Sequence, residues 1–447
     1  EIMSSDWSSD VCSSDLVNIP EKFLHHLWKY RLFTEDELYT QTGEKIEVVQ
    51  VGQHNKDAGP DFQNARIKID ATTWVGNIEI HVHSSDWYNH GHQYDKAYDN
   101  VILQVVLNHN QQVKRTNGET IPTAELQFDN NLFIHYRQIL ENASWMPCEK
   151  ESPGVDASIT DFWLSRLTIE RLEQKTHEIE TSLKEDHSNW EATFYRKLAR
   201  NFGFKVNAEP FEMLARSLPI QHVARHKDHL FQLESLFFCQ SGFLEQKRLD
   251  NPYQMKLFDE YLYLRRKFHL KAMEKHLWRF AKLRPVNFPT IRIAQLCALL
   301  HQSNGLFSQI LEKKDLKELK QLFYTEPSPY WQTHYGFDKE SHHKTKRLGD
   351  DAFRVLVINT VVPFLFIYGK RHNKPVYKEK ALDLLLQLPA EKNSILTHWK
   401  KLGMQASNAY HSQALLQLKN NYCDHKRCLD CQIGNNILIT SEKAEKR

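Results

Sequence analysis

The residues with the clearest chemical potential lie in two short runs in the first quarter of the chain. An acidic residue, Asp61, follows the turn-forming pair Gly59-Pro60. In a later strand-like run, alternation of side chains places Glu79, His81 and His83 on one face and apolar residues on the other. Two carboxylates brought together by a hairpin can hold a divalent cation, because such ions prefer oxygen ligands and activate a bound water. The pattern predicts a metal-dependent site that hydrolyses phosphodiesters.

Pro60-Asp61 and Glu79-Ile80-His81 resemble the two signature elements of the PD-(D/E)xK phosphodiesterase superfamily, to which many restriction and repair nucleases belong. The resemblance covers roughly residues 20–130. It implies a restriction-endonuclease-like α/β domain that acts on nucleic acid, DNA in preference to RNA. It also implies a Mg²⁺ or Mn²⁺ site whose ligands are Asp61, Glu79 and the Ile80 carbonyl.

Histidine at position 81 departs from the superfamily, which has a lysine there. Lysine keeps its charge beside the attacking water, whereas histidine titrates near neutral pH. Either His81 or Lys68, on the neighbouring predicted strand, would orient or deprotonate that water, and Glu47 or Glu21 would complete the acidic set. The same departure favours a second hypothesis. In it, a catalytically degenerate nuclease-fold module binds nucleic acid or a partner protein, with the helical domain as the interface.

Histidines are dense around these runs, which suggests a third hypothesis, a His-rich zinc hydrolase. Imidazoles hold zinc well, although no HExxH spacing is present, and the candidate ligands are His54, His81, His83, His90, His92 and His109. A simpler interpretation also exists for Asp61, since aspartate is typical of turns after proline. Glu79 is harder to explain in that way, because glutamate is depleted in strands.

A second chemical signal lies near the C-terminus, where Cys423, Cys428 and Cys431 form a C-x4-C-x2-C pattern. Three thiols at this spacing converge readily on zinc or iron, and Cys148 is the predicted fourth ligand. The arrangement is similar to iron–sulfur variants of the same nuclease superfamily, in which a cluster joins distant chain segments. The spacing alone leaves an iron–sulfur cluster and a structural zinc both open.

Length and composition predict a soluble protein of two or three domains. The chain has 447 residues and a formal net charge of +2, so any surface for nucleic acid must be local. The basic groups Arg265-Arg266-Lys267 and Lys370-Arg371-His372 are interpreted first as solvated helix ends. The longest apolar run, near residues 355–368, is predicted to be too short to span a bilayer. Few cysteines and no signal-peptide pattern predict a cytoplasmic location.

The predicted fold class is α+β, with a nuclease-like α/β domain followed by a large all-α domain. Residues 1–16 resemble a reading frame of a sequencing adapter and are excluded, and the predicted boundaries are 17–144 for the α/β domain, 145–156 for a linker, 157–422 for the helical domain and 423–447 for a Cys-rich metal-binding tail. The α/β domain is predicted to have the order α-β-β-β-α-β, with a helix near 21–32 and strands near 45–51, 64–70, 73–83 and 101–108. From about residue 17 the chain also resembles a bacterial family of unknown function that carries the GPDF, ExH, SDW and C-terminal cysteine elements together.

Overall fold

The structure, a computed structural model, describes residues 19–244, 251–338 and 340–445. Residues 1–16, predicted to be an artefact, lie outside the described residues. The chain divides into two compact units: a sheet unit, comprising the residues up to Trp163 together with those from Leu418 onward, and a helical unit, Leu164–Gln417. The predicted α+β class is confirmed, with a mixed sheet near the N-terminus and helices through most of the remaining chain.

Six strands form one mixed sheet in the sheet unit: β1 Ile46–Gln50, β2 Gln53–His54, β3 Phe62–Ile69, β4 Thr72–His83, β5 Val101–Asn108 and β6 Thr123–Glu125. Their order is β1-β3-β4-β5-β6, and β2 also pairs with β3. Strand β3 is antiparallel to β1 and β4, whereas β5 is parallel to β4 and β6 is parallel to β5. The register places Glu79 opposite Gln104 on β5.

Helices account for most of the chain outside the sheet, and two of them continue as π-helical turns. The π-helical turns are Val357–Val361, between α14 and α15, and Leu418–Cys423, after α18. The helices are α1 Glu21–Tyr30, α2 Asp86–Asn89, α3 Asn130–Glu141, α4 Ala157–Glu185, α5 Trp190–Phe202, α6 Ala208–Ser217, α7 Ile220–Ala224, α8 Leu230–Gln240, α9 Pro252–Phe268, α10 Pro289–Gln302, α11 Leu306–Glu312, α12 Leu316–Phe323, α13 Pro329–Thr333, α14 Asp350–Leu356, α15 Val362–Arg371, α16 Pro375–Gln387, α17 Ser394–Lys401, α18 Ala409–Gln417 and α19 Gln432–Glu445.

Helix α1 packs against β4 and positions two polar side chains next to the sheet. Its apolar side chains recur at helical spacing, and Phe23, Leu27 and Trp28 are fully buried. Each buried side chain of this size stabilises the fold by about 1.5–3 kcal/mol, which fixes the helix on the sheet. Glu21 and His25 lie one turn apart and therefore share a face of α1.

The C-terminal segment packs with the sheet unit. Lys419 Nζ donates to the Trp145 carbonyl at 2.9 Å, and Asn435 Nδ2 donates to the Tyr30 hydroxyl at 2.8 Å. Helix α19 lies against α3 and buries apolar side chains that include Leu438. Residues near 145–156 and 418–445 are therefore part of one folded unit with the sheet.

The helical unit has its own apolar core, and one of its helices is long and apolar. Among the described residues, the continuous helix Asp350–Arg371 is the one that could cross a membrane by length and composition, whereas the apolar run near residues 355–368 was predicted to be too short. Its apolar window is 78% buried within the protein. Helix α9 begins at Pro252 and ends where His269 adopts the left-handed conformation with φ of 52°.

Candidate active site

Asp61 and Glu79 meet where β3 begins beside β4. Asp61 directly precedes β3, and Glu79 lies within β4. Two backbone bonds connect them: the Asp61 N–H donates to Glu79 Oε2 at 3.1 Å, and the Ile80 N–H donates to Asp61 Oδ2 at 3.0 Å. Glu79 is 5% exposed. The sheet backbone therefore holds in one place the two acids that the sequence paired.

The two carboxyl groups have opposite pKa shifts, which follow from their neighbours. Burial and the charge of Asp61 raise the pKa of Glu79 to about 8. Burial would also raise the pKa of Asp61, but the hydrogen bond and charge of His25, with the Ile80 N–H, hold it below its ordinary value. Near neutral pH the pair therefore retains a proton that two separated carboxylates would lose. A bound cation would remove the repulsion that raises the pKa of Glu79.

Helix α1 adds a histidine and a third acid to this centre. His25 Nε2 lies 3.2 Å from Asp61 Oδ2 and 3.8 Å from Glu21 Oε1. Burial alone would lower the pKa of His25, but the hydrogen bond and charge of Asp61, with the charge of Glu21, raise it above its ordinary value. His25 therefore keeps its proton to a higher pH than a free imidazole does.

His81 is buried in β4, and Gln104 on β5 determines which of its ring nitrogens carries the proton. Gln104 Nε2 donates to the Ser84 carbonyl at 3.1 Å and lies 3.0 Å from His81 Nδ1. Because a carbonyl only accepts, the amide nitrogen must face Ser84, and its second proton then points to His81 Nδ1. The neutral ring consequently carries its proton on Nε2, 3.6 Å from Glu79 Oε1. Burial and the nearby histidines lower the pKa of His81 to about 3, so the ring stays neutral.

Two further histidines complete the polar centre around Glu79. One ring nitrogen from each of His81, His90 and His92 lies within 4.8 Å of the other two, and His92 Nε2 lies 3.2 Å from Glu79 Oε1. Within the described residues, the Nε2 atoms of His81 and His92 are buried without a hydrogen-bond partner of good geometry. Buried polar atoms normally have a partner. Two such nitrogens beside two carboxylates favour a centre that binds a further group.

Other predicted residues lie away from this centre. Lys68 Nζ pairs with Glu47 Oε2 at 3.0 Å, and both side chains are exposed. Strands rise about 3.3 Å per residue, so Lys68 lies on the order of 20 Å along β3 from Asp61. His83 is half exposed and faces Asp86. The structure therefore joins Asp61, Glu79, His81 and the Ile80 backbone, and it leaves Lys68 and Glu47 in a surface ion pair.

The four predicted cysteine ligands all lie in the sheet unit. Cys148, Cys428 and Cys431 are buried, Cys423 is partly buried, and none of the four is in a disulfide. Burial and the neighbouring thiols raise the pKa of Cys428 to about 12, and the same two causes raise the pKa of Cys148 and Cys423. The fold therefore brings Cys148 into the same unit as three cysteines that lie more than 270 positions later in the chain.

The surroundings of Cys431 resemble those of a bound thiolate. The backbone N–H groups of Ile433 and Gly434 and the side chain of Trp163 hydrogen-bond to its sulfur, and these bonds oppose the rise in its pKa that burial causes. A side chain at Gly434 would place Cβ 2.4 Å from the Cys428 carbonyl oxygen. Glycine at position 434 thus allows the first turn of α19 to pack directly against the backbone of Cys428.

His25 and Gln104 were not predicted as site residues from the sequence. A signal for His25 was available, because Glu21 lies four residues earlier on the same amphipathic helix. A signal for Gln104 was also available, because Gln104 is the single polar residue within the apolar run of β5. Neither signal identifies a partner, because both contacts join elements that are distant in sequence.

Comparison with known proteins gives one match. A family model described as "Protein of unknown function (DUF2851)" matches residues 21–394, which include the carboxylate centre and most of the helical unit. Cys423, Cys428 and Cys431 lie beyond the matched range. No curated protein and no solved structure matches the chain.

Proposed function

Because the chain belongs to the family described as "Protein of unknown function (DUF2851)", we propose its function from the site itself: metal-dependent hydrolysis of phosphodiester bonds in nucleic acid. The observation that supports this most is the cross-bonded, buried pair Asp61 and Glu79, with unpartnered imidazole nitrogens beside it. Mg²⁺ or Mn²⁺ is the proposed cofactor, since hard cations prefer carboxylate oxygens. DNA is proposed ahead of RNA from the superfamily resemblance.

The order of elements supports the proposal. The α-β-β-β-α-β order implied by the PD-(D/E)xK resemblance runs from α1 to β5, apart from the two-residue β2. Asp61 precedes the second long strand and Glu79 lies on the third, and these strands are antiparallel neighbours. Side chains on adjacent strands approach within a few ångströms, so this topology brings the two acids together as the motif requires.

The donor set fits a divalent cation. Asp61 and Glu79 would hold it, and the Ile80 carbonyl remains a proposed third ligand. His92 offers a buried nitrogen beside Glu79, which would suit Mn²⁺ better than Mg²⁺. The cation would supply a water activated for attack on phosphorus and would neutralise charge that develops on the phosphate.

The histidines have separate proposed roles. His81 offers an Nε2–H group and has its other nitrogen occupied by Gln104, so it orients water or a phosphate oxygen by donating a hydrogen bond. It does not accept a proton, because neither nitrogen is free to do so. His25, whose pKa is raised by Asp61, is the group placed to give a proton to the leaving oxygen.

Specific observations favour each of two alternative functions. The three clustered imidazoles favour a zinc hydrolase, but a zinc-bound histidine normally donates its other N–H group, whereas His81 Nδ1 accepts from Gln104. The absence of a permanently charged lysine at position 81 favours a degenerate module that binds nucleic acid without cutting it. Metal dependence separates these functions.

Matched variants test the proposed function. With labelled single- and double-stranded DNA and RNA in Mg²⁺ or Mn²⁺, we expect wild type to cut and Asp61→Asn and Glu79→Gln to lose at least about 100-fold in rate. Glu47→Gln, an exposed glutamate of the same sheet, is the control and should retain wild-type activity. Equal cutting by wild type and both site variants would eliminate this centre. Cutting that requires Zn²⁺ alone would move the assignment to the histidines.

The cysteine site is proposed to hold an iron–sulfur cluster that stabilises the sheet unit. The other thiols contribute to the raised pKa of Cys148 and of Cys423, so the four cysteines are neighbours. The C-x4-C-x2-C spacing resembles that of iron–sulfur ligands. A structural zinc is the alternative.

Metal content distinguishes the two. Anaerobically purified protein is expected to contain iron and acid-labile sulfide in equal amounts, and Cys431→Ala should lose both. Cys239→Ala, which changes a buried cysteine of α8, is the control and should retain them. Zinc without sulfide would identify the alternative.

A further inference from the structure

We infer that residues 265–284 of the helical unit form a binding surface for single-stranded nucleic acid. This stretch contains eight lysines and arginines and one acid, Glu274, so its net charge is +7, whereas that of the whole chain is +2. All eight basic side chains are exposed. The net charge of this short segment is therefore far more positive than that of the whole chain.

The basic side chains of this segment form no ion pairs within the part of the chain that the structure describes. In contrast, Arg196, Arg200 and Arg216 of the same unit all pair with carboxylates. Interaction with the C-terminus of α9 accounts for the basic residues of its last turn. It does not account for Lys271, Lys275 and those beyond, which follow the end of the helix. Unpaired like charges favour a polyanionic partner.

The segment is fixed to the helical unit rather than loosely attached. The Met273 N–H donates to the Gln240 carbonyl at 2.8 Å, and Gln240 Nε2 donates to the Lys271 carbonyl at 2.7 Å. Trp278 is buried and donates through Nε1 to the Ser241 carbonyl at 2.8 Å. A side chain at Gly242 would come within 2.1 Å of the Met273 carbonyl oxygen. The backbone is thus anchored while the basic side chains project outward.

The same surface is anchored at its other end by Asn207. Its side chain accepts from the Arg279 N–H at 2.9 Å and donates to the Arg279 carbonyl at 2.9 Å. Both backbone groups of Arg279 are therefore occupied within the fold. Its guanidinium stays exposed and is available to a phosphate.

An exposed aromatic side chain indicates the kind of polyanion. Tyr263 on α9 is 64% exposed, and Arg266 and Lys267 lie three and four residues later, on the same helix face. Aromatic side chains beside cations stack with unpaired bases in sites for single strands. A lipid surface would instead need exposed apolar side chains, whereas Trp278 is buried and Leu277 and Phe280 are partly covered.

The test measures binding of the full chain in chelator, where no metal-dependent cutting occurs. Fluorescence anisotropy would use labelled single-stranded DNA, single-stranded RNA and duplex DNA across a salt series. Neutralising Lys271→Gln, Lys275→Gln and Arg279→Gln together should weaken single-strand binding and reduce the slope of log K against log salt by about 2. Tyr263→Ala should weaken binding at least about fivefold with an unchanged slope.

The matched control removes the same amount of charge elsewhere in the helical unit. Lys313→Gln, Lys314→Gln and Lys317→Gln together lie in a segment interleaved with Asp315 and Glu318, and should leave the slope unchanged. Circular dichroism would verify folding of every variant. An equal slope in wild type and the basic-segment variant would overturn the inference, and so would binding of anionic phospholipid vesicles without binding of any oligonucleotide. Binding without cutting in Mn²⁺ would contradict the proposed function alone.

Discussion

Glu79→Gln should change how the stability of the metal-free protein depends on pH. The pKa of Glu79 is raised from 4.5 to about 8 by burial and by the charge of Asp61. Below pH 4.5 the carboxyl is neutral in the folded and unfolded states and adds no pH dependence. As pH rises from 4.5 to 8, the unfolded chain loses this proton while the folded protein keeps it, so stability falls. Glutamine has no such proton.

The size of the effect follows from the shift. Each pKa unit corresponds to 1.36 kcal/mol, so a shift from 4.5 to about 8 corresponds to about 5 kcal/mol at full ionisation. Water entry and rotation of His92, now 3.2 Å away, would relieve part of that cost. We therefore expect the stability of Glu79→Gln relative to wild type to increase by about 2–5 kcal/mol between pH 5 and pH 8.5.

Urea unfolding in chelator measures this difference. Wild type, Glu79→Gln and the exposed control Glu47→Gln would be compared at each pH, because contributions of Asp61 and His25 are present in all three. The control should parallel wild type, since an exposed ion pair contributes at most about 1 kcal/mol. Saturating Mn²⁺ should restore wild-type stability at high pH and have little effect on Glu79→Gln. Parallel profiles for wild type and Glu79→Gln would refute the account of a mutually repelling buried pair.

Three further predictions concern the supports of the site. Gln104→Leu should destabilise the protein by about 1–3 kcal/mol in urea unfolding, because His81 Nδ1 and a buried carbonyl lose their donor; a neutral effect would mean that the amide is not needed. Nitrogen NMR of labelled histidine should find His81 neutral and protonated at Nε2 from pH 6 to 8. Titration in that range would contradict the lowered pKa, and a proton on Nδ1 would contradict the assigned tautomer. Gly76→Ala should cost about 1–3 kcal/mol, because its Cβ would lie 2.4 Å from Ile102 Cγ2. Gly154→Ala, which meets nothing within 4 Å, is its control, and equal thermal shifts in the two would contradict the crowding argument.

Much of the sheet could be predicted because its strands have simple patterns. Strand β4 alternates polar and apolar side chains, and β5 is a nearly continuous apolar run, so the predicted strands 73–83 and 101–108 agree closely with Thr72–His83 and Val101–Asn108. The pairing of Asp61 with Glu79 followed from a hairpin, which is a local feature. Local periodicity therefore identified the elements and the two acids.

What could not be predicted depends on contacts between distant segments. His25 reaches Asp61 because α1 packs on β4, and Gln104 reaches His81 because β5 is parallel to β4. Neither packing choice is encoded in a short window. The same reason explains the C-terminal segment: three clustered thiols were visible, but the burial of α19 within the sheet unit depends on α3.

The proposed nuclease centre at Asp61 and Glu79 is tested most directly by measuring Mn²⁺-dependent cutting of labelled DNA. Wild type and Glu79→Gln would be compared as anaerobically purified proteins. We expect wild type to cut the DNA and chelator to abolish the cutting. The Glu79→Gln variant should remain folded and should not cut. Cutting by both proteins would show that chemistry occurs elsewhere. No cutting of any substrate by wild type loaded with Mn²⁺ or Mg²⁺ would contradict the nuclease assignment.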